Sequence, residues 1–178
     1  MDLSNKRVLF IIAPKDFRDE ELLEPKKVLE SYKVRIIIAN NTGTISRGML
    51  GARVEPSTTI EKVDVNDYDA VIFVGGSGST VYWEDKTALK ITKESFLKGK
   101  IVCSICLASG TLANAGVFSG KKATGWPDTR VLIEKNGGTY TGKDVEISSR
   151  VISALGPKAA TKFGEEIAKA LGKEVNEE

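Results

Sequence analysis

Short, almost wholly apolar runs bounded by turn residues alternate along the chain with longer stretches in which apolar side chains recur at helical spacing. Runs without polar alternation belong to strands buried on both faces. The pattern therefore predicts an α/β fold, with a mainly parallel sheet covered by helices on both sides. Strands are expected at Arg7–Ala13, Val34–Ala39, Ala70–Val74 and Lys100–Ile105, with a weaker one near Val151–Leu155.

A helix is expected over Glu21–Tyr32, where Leu22, Leu29 and Tyr32 fall near one face. Pro25 is tolerable there only within the first turn, which puts Glu21 at the helix entrance. Lys86–Lys98 and Ala108–Ala115 read as helices closed by Gly99 and Gly116, glycine being favoured at a left-handed cap. Pro157–Leu171 starts on proline and buries Ala160, Phe163, Ile167 and Leu171 at helical spacing. The segment Thr42–Thr59, punctuated by Gly43, Gly48, Gly51 and Pro56, breaks the alternation and reads as a small antiparallel excursion. No repeat or linker divides the chain, so residues 1–178 are expected to form one domain, with only Glu174–Glu178 as a frayed tail.

Composition narrows the function classes. The 26 basic and 24 acidic residues are mixed along the chain and leave a net charge of +2, without the basic stripe a nucleic-acid binder needs. The longest apolar runs are far shorter than the roughly 20 residues of a membrane span, and the start of the chain lacks the pattern of a secretory signal. A soluble, cytoplasmic protein is expected. Charged residues make up 28% of the chain and glutamine is absent, a composition leaning toward heat-adapted proteins. There is also no histidine.

The segment KGKIVCSICLASGTLANAG runs from a strand through Cys106 directly into a helix. A side chain on such a nucleophile elbow stands at the carboxyl edge of the sheet, where the following N–H groups favour negative charge, and the same features lower a thiol's pKa. Read locally, Cys106 is more simply a small buried apolar residue, as most free cysteines are. Cys103 lies inside the strand and reads as core. A redox dithiol is opposed by geometry, since three residues of extended strand span roughly 10 Å. A zinc site would need two further ligands from a chain with neither histidine nor another cysteine. No metal or other cofactor is expected.

Two more segments reach the same sheet edge. DYDAVIFVGGSGS opens a strand onto Gly75 and Gly76, whose backbone can approach a ligand closely. Read alone the loop is more simply an ordinary strand-to-helix turn, but beside the cysteine turn the N–H groups of Gly76 and Leu107 would form an oxyanion hole. KDFRDEELLEP crowds Asp19, Glu20, Glu21 and Glu24 at the exit of the first strand. Such acids commonly cap a helix, but a carboxyl pressed against a thiolate would have a raised pKa and donate a hydrogen bond to sulfur.

Together these segments resemble the PfpI/DJ-1 superfamily. The likeness rests on E-E-L-x-x-P at Glu20–Pro25, D-A-V-I-x-x-G-G at Asp69–Gly76 and the strand-I-C turn at Ile105–Cys106. A-G-V-x-x-G-K-K-A-T at Ala115–Thr124 and G-P-K-A-A at Gly156–Ala160 extend it. The resemblance implies a flavodoxin-like three-layer sandwich, a homodimer or higher homo-oligomer, and a site in which Cys106 is the nucleophile or redox centre, Glu21 contacts it, and Gly76 and Leu107 supply N–H groups. The departures are equally informative. Protease-like members follow the cysteine with histidine, where this chain has Leu107; members resembling DJ-1 carry a histidine before a later proline, where this chain has Trp126. Gly75 and Trp126 are expected to line the site.

A cysteine peptidase uses a base to take the thiol proton and an acid to protonate the leaving amine, roles histidine ordinarily fills. Peptide hydrolysis is thus the least favoured reading. The preferred one is Cys–Glu chemistry on small reactive carbonyls, of glyoxalase or deglycase type. Its alternative is a redox-sensing, stress-protective protein whose Cys106 is oxidised by peroxide.

Overall fold

The computed structural model describes residues 1–173; the expected frayed tail, Glu174–Glu178, lies outside them. Strands β1 (Arg7–Ile11) and β2 (Lys15–Phe17) lead into helix α1 (Asp19–Ser31) and strand β3 (Arg35–Asn40). Three short strands follow, β4 (Ser46–Gly48), β5 (Arg53–Val54) and β6 (Thr58–Thr59), and then β7 (Ala70–Phe73). Helix α2 (Lys86–Leu97) precedes β8 (Ile101–Ile105) and α3 (Ser109–Asn114). The last third holds β9 (Lys122–Ala123), α4 (Arg130–Lys135), β10 (Thr139–Tyr140), β11 (Val145–Ser148), β12 (Val151–Ala154) and α5 (Ala160–Gly172).

Seven strands form the central sheet in the order β11-β12-β8-β7-β1-β3-β6. All neighbouring pairs are parallel except β11 with β12. Alternate residues of one strand feed two separate cores. Val8 and Phe10 pack with Leu22 and Leu29 of α1 and Phe163 and Ile167 of α5. Leu9 and Ile11 pack with Ala88 and Ile91 of α2, Leu112 of α3 and Ile133 of α4. Because each face of a strand meets a different helical layer, its side chains are apolar on both sides, and the result is a flavodoxin-like three-layer sandwich. No helix among the described residues is long and apolar enough to cross a membrane.

Two expectations about local structure change. Helix α1 starts at Asp19, so Pro25 lies in its interior rather than its first turn. Proline there has no N–H to give the carbonyl four residues back, which is that of Glu21, so the helix loses one rung beside the site. The Thr42–Thr59 segment contains the expected antiparallel pair, β4 with β5, but β4 also runs parallel to β2, and β6 joins the main sheet parallel to β3. The hairpin thereby covers the start of α1: Asp19 accepts the N–H groups of Leu50 at 2.9 Å and Ala52 at 2.8 Å.

Candidate functional site

The chain turns sharply at the carboxyl end of β8. Cys106 has φ +61°, a left-handed conformation that costs a non-glycine residue energy and persists only where the surroundings enforce it. A single 3-10 turn, Cys106–Ala108, carries the chain from there into α3. Two contacts hold the bend. Trp126 donates its backbone N–H to the Cys106 carbonyl at 3.1 Å, and the Trp83 indole donates to the Leu107 carbonyl at 2.7 Å.

Next to β8, the end of β7 opens onto the glycine pair. A Cβ at Gly75 would stand 2.5 Å from Oε1 of Glu21 and 2.7 Å from Cβ of Cys106, so only glycine fits between them. Gly76 has φ +103° and lies beneath the 16–18 segment, where a side chain would meet backbone. The Arg18 N–H donates to the Gly75 carbonyl at 2.8 Å, clamping the entrance of α1 to this loop. Strands β8, β7 and β1 are sheet neighbours, so their carboxyl ends bring Cys106, the glycine pair and Glu21 together at one edge, the usual ligand crevice of an open α/β sheet.

Glu21 is completely buried. Neither of its oxygens has a partner of good hydrogen-bond geometry, although the Cys106 thiol is close enough for the two groups to perturb each other. Burial pushes the Glu21 carboxyl up to about 8 against the help of Cys106 and Arg18, so it is protonated at neutral pH. The direction expected for Cys106 is reversed. Burial first, and then the Glu21 charge, push its thiol up to about 12, outweighing the N–H groups of Gly76 and Leu107 that donate to sulfur. A sequence shows those donors but not the desolvation that overrides them. The pair gives up its first proton near 8 and holds the second tightly.

Cys106 is buried but not sealed, and it lines a cavity of about 190 Å³ with Arg18, Met49, Gly76, Ser77, Leu107, Trp126 and Pro157. Through Arg18, Trp126 and Pro157 this cavity adjoins a groove of about 760 Å³ that also carries Glu20, Glu24, Asp144 and Lys158. Trp126 stands where both meet, its ring against Gly156. Cys103 is fully buried in β8, and both cysteines are free. Arg18 and Met49 escaped the sequence reading: Arg18 sits beside the acids that drew attention to its segment, and Met49 arrives from the β4–β5 hairpin, whose position no local pattern gives.

Residues 6–170 match the DJ-1/PfpI family. The chain belongs to the DJ-1/PfpI family. This DJ-1/PfpI chain is 40% identical over 175 residues to an uncharacterized protein of Methanocaldococcus jannaschii, covering 97% of this chain and 85% of that one. It is 30% identical over 152 residues to a protein of Pyrococcus horikoshii named a deglycase, covering 85% and 90%. Among solved structures, a ThiJ/PfpI domain protein from Brachyspira murdochii superposes with a TM-score of 0.90 at 25% identity, covering 93% and 95%. Within this DJ-1/PfpI fold, the site has the cysteine and the glutamate but no histidine anywhere in the chain.

Proposed function

We propose that this protein converts small dicarbonyl compounds to hydroxy acids through Cys106 and Glu21, in the cytoplasm and without a cofactor. The observation that carries the reading is the left-handed elbow holding Cys106 against a buried Glu21 at the floor of an open cavity. The similarity to a protein named a deglycase supports the same class of substrate.

The chemistry runs from the pair's singly protonated state. The proton left on the pair moves to Glu21 as sulfur attacks. The sulfur forms a C–S bond to the aldehyde carbon, the C=O π pair moves to oxygen beside the N–H groups of Gly76 and Leu107, and that oxygen takes the proton from Glu21, which is left as a carboxylate. Glu21 next takes the proton on that carbon and delivers it to the carbon of the neighbouring carbonyl, while the adduct's hydroxyl proton passes to that carbonyl's oxygen, which converts the adduct to the thioester of a hydroxy acid. Water cleaves the thioester, releasing the hydroxy acid and restoring the thiol. Dicarbonyl plus water gives hydroxy acid, with no external oxidant or reductant. Peptide hydrolysis would additionally need an acid to protonate an amine leaving group, and Glu21 alone must already serve the thiol.

Hydroxy acid should accumulate steadily from a dicarbonyl with the wild-type protein and stop in both Cys106→Ser and Glu21→Gln. Turnover no faster than a protein-free blank eliminates the reading.

One observation favours a second reading, in which Cys106 is a redox sensor. A Glu21 carboxyl that is protonated and unpartnered has a donor to offer to oxygen added on the sulfur. Mild peroxide should then add oxygen at Cys106 in preference to Cys103 by peptide mass analysis; equal modification of both ends that idea.

A further inference from the structure

We propose that Arg18 is the recognition group for a carboxylate on the compound attacked by Cys106, so that the site takes small dicarbonyl compounds that also bear a single carboxylate. This rests on the reading of Cys106 as a nucleophile and adds the substrate class.

Among the described residues, Arg18 is the one charged residue lining the cavity over Cys106; the remaining walls are Met49, Gly76, Ser77, Leu107, Trp126, Pro157 and the cysteine itself. The Arg18 side chain is 31% exposed and already paired with Glu20, so its pull on an anion comes from its oriented free donors rather than from an unscreened charge. Its reach extends to the reacting groups, since Arg18 and the Cys106–Glu21 pair shift one another electrostatically.

The guanidinium is oriented before anything binds. Nε and one Nη donate to the two oxygens of Glu20 at 2.7 and 3.2 Å, and the backbone N–H of Arg18 is fixed on Gly75. Of the five N–H donors of arginine, Glu20 takes two, which leaves three for a ligand. A planar fork held along one edge presents its other donors in a fixed geometry suited to a carboxylate.

The wider groove sets the limit on charge. Glu20, Glu24 and Asp144 line it, with Arg18 itself and Lys158 as its cations. A molecule with a second negative charge projecting from the cavity would meet these three carboxylates, whereas a monoanion confined to about 190 Å³ meets only Arg18.

The test uses two alkylating agents of similar size, anionic iodoacetate and neutral iodoacetamide, on the full chain, with Cys106 modification followed by mass spectrometry near pH 8.5. The iodoacetate:iodoacetamide rate ratio, normalised to that of a small free thiol, should exceed one in the wild type. It should fall about tenfold in Arg18→Gln, the size expected for losing a hydrogen bond to a charged group. Arg18→Lys should retain part of the preference, and Glu20→Gln, which removes the competing carboxylate, should raise it. A ratio that neither Arg18→Gln nor Glu20→Gln moves, while iodoacetamide still reacts, overturns the role of Arg18 and leaves the nucleophile standing. If Cys106 resists both reagents in every form, the nucleophile reading falls and takes this one with it.

Discussion

Gly75 is the spacer between Glu21 and Cys106: the position its absent Cβ would take is 2.5 Å from the glutamate oxygen and 2.7 Å from the cysteine Cβ. The acid and the thiol come from elements far apart in sequence, α1 and the end of β8, and they approach each other because a third element contributes no side chain there. Gly75→Ala must push one of them aside. It should cost about 1–3 kcal/mol in urea unfolding, the usual penalty for overpacking a filled core, and should also uncouple the pair. A Gly75→Ala protein with wild-type stability and an unaltered pH profile of Cys106 alkylation would show that the two groups do not depend on this spacing.

The pH profile is itself a prediction. At neutral pH both Glu21 and Cys106 carry protons, and the pair yields its first near 8. Alkylation by iodoacetamide should climb about tenfold per pH unit below that value and level off above it, because the singly protonated pair is the species that can place negative charge on sulfur. In Glu21→Gln the carboxylate that receives the proton is gone, so the levelling near 8 should disappear. Superimposable profiles for the two proteins would sink the coupling.

How far the site was legible depends on what each residue's neighbours are. Runs such as Val8–Ile12 and Ala70–Val74 announced buried strands because each strand meets a helical layer on both faces, so no polar residue interrupts them. Helix α4 went unseen because its six residues carry only one buried side chain, Ile133, and expose Val131. Edge strand β11 was hidden by Glu146, a buried acid in an exposed alternation. Cys106, Glu21, Gly75, Gly76, Leu107 and Trp126 were reached through strand-end motifs and the family resemblance; the structure puts Gly76, Cys106, Leu107 and Trp126 on one cavity, with Gly75 and the buried Glu21 packed behind the cysteine rather than lining it. Arg18 and the direction of the thiol's pKa were not legible, since both follow from which surfaces close over the sulfur.

Stability should carry the mark of Glu21 as well. Its carboxyl has an ordinary value of 4.5 and is raised to about 8 in the folded protein. Between those values the folded state holds a proton that the unfolded state has released, so stability falls as pH rises through this window. Glutamine mimics the protonated acid and does not titrate. Glu21→Gln should therefore match the wild type near pH 4 to 5 and exceed it at pH 9, by up to a few kcal/mol at the usual ~1.4 kcal/mol per pKa unit. Thermal melts of the two proteins across that range provide the check; a difference that stays constant with pH would mean Glu21 is not raised.

The elbow also depends on Trp83, which lies beyond the glycine pair and reaches back over the turn. Its indole N–H holds the Leu107 carbonyl at 2.7 Å, its ring packs where a Cβ on Gly110 would be, and its own carbonyl accepts from Asn114 at 2.8 Å. Fixing the Leu107 carbonyl fixes the orientation of that residue, whose N–H donates to the Cys106 sulfur and opposes the rise of its pKa. Trp83→Phe keeps an aromatic ring and removes the donor, at a cost of about 1–2 kcal/mol. If the hydrogen bond only stabilises the fold, Cys106 alkylation at pH 8 should be no different from that of Thr92→Val, which loses a buried hydrogen bond to the Ala88 carbonyl within α2 and is remote from the site. If it positions the Leu107 N–H, Trp83→Phe alone should slow the alkylation and shift its rise to higher pH. We expect the second result, because a left-handed cysteine keeps its conformation only while the groups on either side of it are held.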